Sequence, residues 1–130
     1  MSLHETPMTR WYWQKVGGTL VEEFPAVART PTNGQRLIDG VVIVGGEKRI
    51  AKAAEVDLAG KHVVVIQSKR GRLGMYLMGQ ALFSPELIKR YGPAVIESVA
   101  LCEQLDTVLA PLLEKHPNVK VIVYPGDDAA

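Results

Sequence analysis

The chain has little cysteine, few aromatics, no long apolar run and almost no net charge. A single cysteine among 130 residues, Cys102, excludes an internal disulfide and a four-cysteine zinc site. It lies in an apolar run, so the expectation is a buried, reduced thiol in a cytoplasmic protein. Fifteen Lys and Arg against 14 Asp and Glu leave a formal charge of +1. That excludes a supercharged nucleic-acid tail; any attraction to a polyanion has to come from a local patch. The strictly apolar runs are only a few residues long, far short of a bilayer span. Met1 to Gln14 mixes His, Glu, Arg and Trp without an apolar core, so it reads as neither a secretory signal nor a membrane anchor. No internal repeat or low-complexity tract is present.

What remains is ordinary globular material. Apolar residues make up 47% and charged residues 22%, the balance of a soluble domain. The length supports one domain with a radius of gyration of roughly 14 Å and a core that needs no staples. The expectation is a single domain over residues 1–130, with a loose arm at 1–9 and a frayed tail at 125–130.

Patterning divides the chain into elements. Gly17-Gly18 interrupts any helix begun at Trp11. Thr19 with Glu22 three residues on resembles a capping box, so Thr19 to Val27 reads as a helix limited by Pro25, with a strand over Thr19 to Phe24 as the alternative. Thr30 to Gly34 is a turn. Arg36 to Val44 is a strand whose alternation places Leu37, Asp39, Val41 and Ile43 on one face. Glu47 to Gly60 has room for a short strand and a helical turn. Lys61 to Lys69 is a strand; its Val63-Val64-Val65-Ile66 core is apolar on both faces and therefore central. Gly71 to Phe83 reads as a helix, and Ser84-Pro85 as the start of a second one ending at Tyr91-Gly92-Pro93. Ala94 to Cys102 is a strand, Asp106 to His116 a helix bent at Pro111, and Val119 to Tyr124 a final strand. This order predicts an α/β domain, a mixed sheet with helices on both faces.

Three polar residues stand where apolar ones belong. Gln67 and Lys69 follow four β-branched residues on the central strand and, two apart, project from the same face. Asp39 interrupts Arg36 to Val44. Burial of such groups is unfavourable without partners, so clustering of Asp39, Gln67 and Lys69 at one sheet edge is the expectation if their strands pair. A carboxylate and an amide oxygen are hard ligands suited to Mg²⁺; an adjacent lysine stabilises negative oxygens or orients water.

The pattern Ile38-Asp39, a connector, then Val65-Ile66-Gln67-Ser68-Lys69 resembles the PD-(D/E)XK signature of the restriction-endonuclease-like nuclease superfamily. It is most similar to branches, some type IV restriction endonucleases among them, in which glutamine replaces the second acid. Ile38 stands at the proline position, and the separation of 67 − 39 = 28 positions makes Glu47 to Gly60 an insertion. The resemblance implies an αβββαβ core and a Mg²⁺- or Mn²⁺-dependent phosphodiesterase acting on DNA rather than RNA. It makes Asp39 and Gln67 metal ligands and Lys69 the catalytic lysine. It also implies an acid from the first helix, a role for Glu23 or Glu22; helical periodicity favours Glu23. Arg70 and Arg72, with Tyr76 and Gln80 continuing an i, i+4, i+8 stripe from Arg72, form the candidate nucleic-acid contact.

Two other readings use the same residues. The fold can serve as a non-catalytic DNA-binding or assembly module, motivated by the uncharged Gln67, or as a small-molecule or nucleotide binder at the sheet end. No separate sequence-reading domain is evident, so action on nucleic-acid structure, through a partner or as a homodimer, is the expectation. His4, His62 and His116 have no ligand spacing, and Trp11-Tyr12-Trp13 reads as core or subunit interface.

Overall fold

Val63 to Ile66 need cover on two sides, and the molecule is arranged to give it. The computed structural model describes residues 5–126. Their order is α1 (Thr6–Val16), β1 (Thr19–Val27), β2 (Arg36–Ile43), β3 (Arg49–Ala51), β4 (His62–Ser68), α2 (Met75–Ile88), β5 (Val95–Cys102), α3 (Leu109–Glu114) and β6 (Val119–Val123), with 3₁₀ turns at Ala53–Glu55 and Lys89–Tyr91. One mixed sheet runs β3-β1-β2-β4-β5-β6. Strand β2 lies between β1 and β4 and is antiparallel to both, and β4, β5 and β6 are parallel. The domain is thus α/β, as its patterning implies. Among the described residues, no helix is long and apolar enough to cross a membrane.

Alternation along β4 sorts the core. Val64 and Ile66 join Leu20, Val42, Val99 and Leu101 beneath Met8, Tyr12 and Trp13 of α1. Val63 and Val65 join Val21, Val41 and Ile88 on the opposite face. There α2 and α3 pack Leu77, Ala81 and Leu113 over Ala100 and Cys102 of β5. Cys102 is a free, fully buried thiol, and burial raises its pKa.

The first 27 residues differ most from the sequence reading. The expected loose arm contains the start of α1: Pro7 suits a first helical turn, and Met8 and Thr9 are completely buried. Gly17 ends the helix at φ 74°, where its N–H reaches the Trp13 carbonyl at 2.8 Å. Thr19 to Val27 is a strand, not a helix. The apparent capping box is dismantled: Thr19 Oγ1 donates to the Glu47 carbonyl at 2.6 Å, and Glu22 receives a two-pronged contact from Arg10 of α1 at 2.8 and 2.9 Å. Residues 1–4, with His4, and residues 127–130 of the expected tail lie outside the described residues.

Three smaller corrections concern helices. The helix expected from Gly71 begins at Met75. It then continues through Ser84-Pro85 rather than restarting there. Pro85 has no N–H for the Ala81 carbonyl, and Ser98 Oγ of β5 donates to that carbonyl instead, at 2.6 Å. The third helix is only Leu109–Glu114, entered through a turn at residues 107–108 in which Asp106 Oδ1 accepts from the N–H groups of Val108 and Leu109, as an N-cap does. The connector after β2 does carry its short strand and helical turn.

Candidate active site

Asp39 and Gln67 meet where two central strands part, and among the described residues no hydrogen bond or ion pair joins Lys69 to either of them. The β2–β4 pairing runs from Ile43↔Val63 to Gly40↔Ile66 and stops there. One step further, Asp39 and Gln67 would be partners in the ladder. Instead, the Asp39 N–H points at Gln67 Oε1, 3.5 Å away, and Asp39 Oδ2 accepts from the Ser68 N–H at 2.8 Å. Side chains thus replace backbone in the fork.

A change of facing accompanies the opening. Val21 and Phe24 of β1 belong to one cluster, and so do Ile38 and Val41 of β2. Strict alternation would put members of each pair on opposite faces. Glu23 lies between them with φ 49°, a left-handed backbone unfavourable for a non-glycine residue. The sequence reading kept Asp39 on the face of Leu37, Val41 and Ile43. The irregularity instead turns it into the fork, half-buried, while Ile38 occupies the core.

Each side of the fork is fixed by a helix. Thr9 Oγ1 of α1 shares a hydrogen bond of 2.9 Å with Ser68 Oγ. On the other face, Gln67 Nε2 donates to Ser84 Oγ of α2 at 2.6 Å. Gln67 and Ser84 are both buried, so this bond orients the amide and leaves its oxygen to accept from the Asp39 backbone N–H. Lys69 follows at the strand end, exposed, with Nζ 5.9 Å from the Tyr76 ring centre. Both Tyr76 and Gln67 line a groove of about 580 Å³ between α2 and the start of β2.

Electrostatics single out Asp39. Burial raises its pKa, the Ser68 N–H opposes that rise, and the carboxylates of Glu5 and Glu23 add to it. Glu5 immediately precedes α1 and was hidden from the sequence reading by the presumed looseness of residues 1–9. Its only sequence signal is an acid just before Pro7 at a helix start. Glu23 lies on β1, not on a helix, yet is near enough to act on Asp39. Glu22, the weighed alternative, faces α1 and is engaged by Arg10.

The donors present are oxygens: the Asp39 carboxylate, the Gln67 amide and two further carboxylates nearby. Carboxylate and amide oxygens are hard donors of the kind that Mg²⁺ and Mn²⁺ take. Among the described residues, no three His, Cys, Asp or Glu side chains form a ready-made metal cage. A cation held here would accordingly keep several waters.

The expected contact stripe separates into two groups. Tyr76 and Gln80 lie on α2 beside the groove. Arg72 precedes the helix; it bridges to Gln104 and donates to the Leu105 carbonyl at 2.9 Å. Arg70 pairs with Glu103 at 3.0 Å and stacks over Tyr124. These two arginines tie the strand end to the loop after β5, and the i, i+4, i+8 stripe is not formed. Tyr12 and Trp13 are core residues, with Trp13 Nε1 bonded to the Gly18 carbonyl at 2.8 Å, and Trp11 packs edge-on against Tyr124. Comparison with known proteins adds no relative: no family model matches the chain, and searches of curated proteins and of solved structures find no match.

Proposed function

We propose that the protein is a restriction-endonuclease-like, Mg²⁺-dependent phosphodiesterase acting on DNA, with the fork between β2 and β4 as its active site. The observation that carries this reading is the meeting of Asp39 and Gln67, 28 positions apart in the chain, through the contacts Asp39 N to Gln67 Oε1 and Ser68 N to Asp39 Oδ2. The element order supports it. With β3 set aside as an insertion, the chain runs α1, three antiparallel strands, α2 and a parallel strand, which is an αβββαβ arrangement.

The roles follow from position. Asp39 and Gln67 hold the cation, with Glu23 and Glu5 adding negative charge around it. The cation, when bound, supplies charge neutralisation at phosphate and makes water a stronger nucleophile at neutral pH. Lys69 has no ion-pair partner among the described residues. Its exposed ammonium, 5.9 Å from the Tyr76 ring centre, orients a phosphate oxygen or the attacking water. Ser84 keeps the Gln67 oxygen turned toward the Asp39 backbone N–H, and Thr9 fixes the strand end that carries Lys69.

Supercoiled plasmid incubated with Mg²⁺ or Mn²⁺ tests the reading. The expected result is nicking that EDTA stops and that Asp39→Ala and Lys69→Ala each lower by about a hundredfold or more. Plasmid left intact after long incubation contradicts it. Salt-dependent DNA binding that survives Asp39→Ala, without cleavage, selects a non-catalytic module instead.

A further inference from the structure

The face of α2 that lines the groove is built unlike a packing face. Tyr76 and Phe83 are 73% and 68% exposed, and Met75 is 72% exposed. Tyr76, Gly79, Gln80 and Phe83 follow i, i+3, i+4, i+7, the stripe by which a helix normally meets its core, yet this one meets solvent. Gly79 sits between the aromatics in mid-helix, where glycine is unfavourable relative to alanine. A Cβ placed on it meets nothing within 4 Å. Neither backbone conformation nor packing therefore requires glycine there. Its effect is a notch between two aromatic rings.

The groove is also electrostatically one-sided. Arg36 lines it and Lys69, outside the lining, stands over Tyr76, while among the described residues no Asp or Glu lines it. Tyr76 and Phe83, seven residues apart, are separated by about 10 Å along the helix. That equals about three steps of a nucleic-acid strand at about 3.4 Å each. Flat aromatic faces flanked by cations suit bases with their phosphates. In a duplex the base faces are stacked inside and unreachable; they become available only where a strand is single or a base is turned out.

We infer that this groove binds unpaired bases, and that the strand the protein acts on is single-stranded or locally melted DNA. The inference rests on the proposed nuclease reading for the identity of its occupant as substrate. Tyr76 and Phe83 stack bases, the Gly79 notch admits one of them, and Arg36 and Lys69 hold the adjoining phosphates. Because Gln67 lines the groove and its oxygen accepts from the Asp39 N–H, a strand seated along α2 brings a phosphodiester to the Gln67 side of the fork.

Fluorescence anisotropy of the full chain in EDTA reads binding apart from cleavage. The probes are a labelled 20-mer of thymidylate and a labelled 20-base-pair duplex. The single strand is expected to bind at least tenfold more tightly. Tyr76→Ala should weaken it by about 5- to 150-fold, the range for loss of one stacked base. Gly79→Leu should weaken it comparably by filling the notch, while its thermal midpoint stays at or above wild type. Equal or tighter duplex binding, absence of binding, or unchanged affinity in both variants overturns the inference. Plasmid nicking with Mg²⁺ is scored separately. Nicking without single-strand preference removes the groove and keeps the nuclease; preference without nicking does the reverse.

Discussion

Asp39 carries the strongest consequence at the residue scale. Its pKa is raised by burial and by the Glu5 and Glu23 carboxylates. A carboxyl raised in the folded state contributes stability that is full below its unfolded pKa and is lost as pH rises through the folded value. Thermal melts of wild type and Asp39→Asn should therefore diverge upward from about pH 4, with the variant gaining on wild type. Asparagine keeps an acceptor for the Ser68 N–H while removing the charge. Saturating Mn²⁺ should close the gap: at a hundred times its dissociation constant a ligand adds about 2.7 kcal/mol to wild type. A difference that does not change with pH would remove the electrostatic argument. Asp39 and Gln67 were visible in the sequence because each is polar inside a strand of apolar residues. Their bonds to Ser68 and Ser84 were not, because those depend on where the strands diverge and on which turn of α2 passes overhead. Glu5 was missed for a related reason: nothing local to His4-Glu5-Thr6 announces that Met8 and Thr9 are buried by tertiary contacts.

At the scale of elements, the passage of α2 through Pro85 depends on β5. Proline in a helix interior leaves a carbonyl without its donor, and Ser98 Oγ supplies one to Ala81 in a buried setting. Ser98→Ala should destabilise the fold by about 1–3 kcal/mol, the penalty for a buried unsatisfied acceptor. In a Pro85→Ala background, which restores the helical N–H, the same change should be distinctly milder. A double-mutant cycle by urea denaturation measures that coupling, and additive effects would contradict it. This also explains why Ser84-Pro85 reads in sequence as a helix boundary: the compensating hydroxyl is fourteen residues downstream of Ser84. The same limit governs β1. Thr19 and Glu22 have capping-box spacing, but Leu20 and Val21 are claimed by opposite core clusters. Pairing with β2, over the Thr30 to Gly34 turn, outweighs local preference. By contrast β4 was readable outright, since four β-branched residues in succession have no amphipathic alternative.

For the whole molecule, the small net charge limits how it can engage nucleic acid. With Arg70 and Arg72 committed to Glu103 and the Leu105 carbonyl, the groove offers Arg36, with Lys69 beside it over Tyr76. Two phosphate contacts on a single strand correspond to a log–log salt slope of about −1.4. A slope steeper than about −4, from binding titrated against salt, would mean that a broader basic surface does the binding. Overall architecture was legible from the order of periodic segments: two-sided burial of β4 implied helices on both faces, and α1 stands opposite α2 and α3. Strand order and the opening of β2 from β4 were not, because register is set by partners distant in the chain. The central claim is that this opening is a cation site formed by oxygens from residues 39 and 67. Anomalous diffraction from a crystal soaked in Mn²⁺ tests it most directly. The account requires a peak between the Asp39 carboxylate and the Gln67 amide oxygen, within about 2.5 Å of Asp39, and lost in Asp39→Asn. An empty fork at saturating Mn²⁺, or a peak bound only elsewhere, contradicts it.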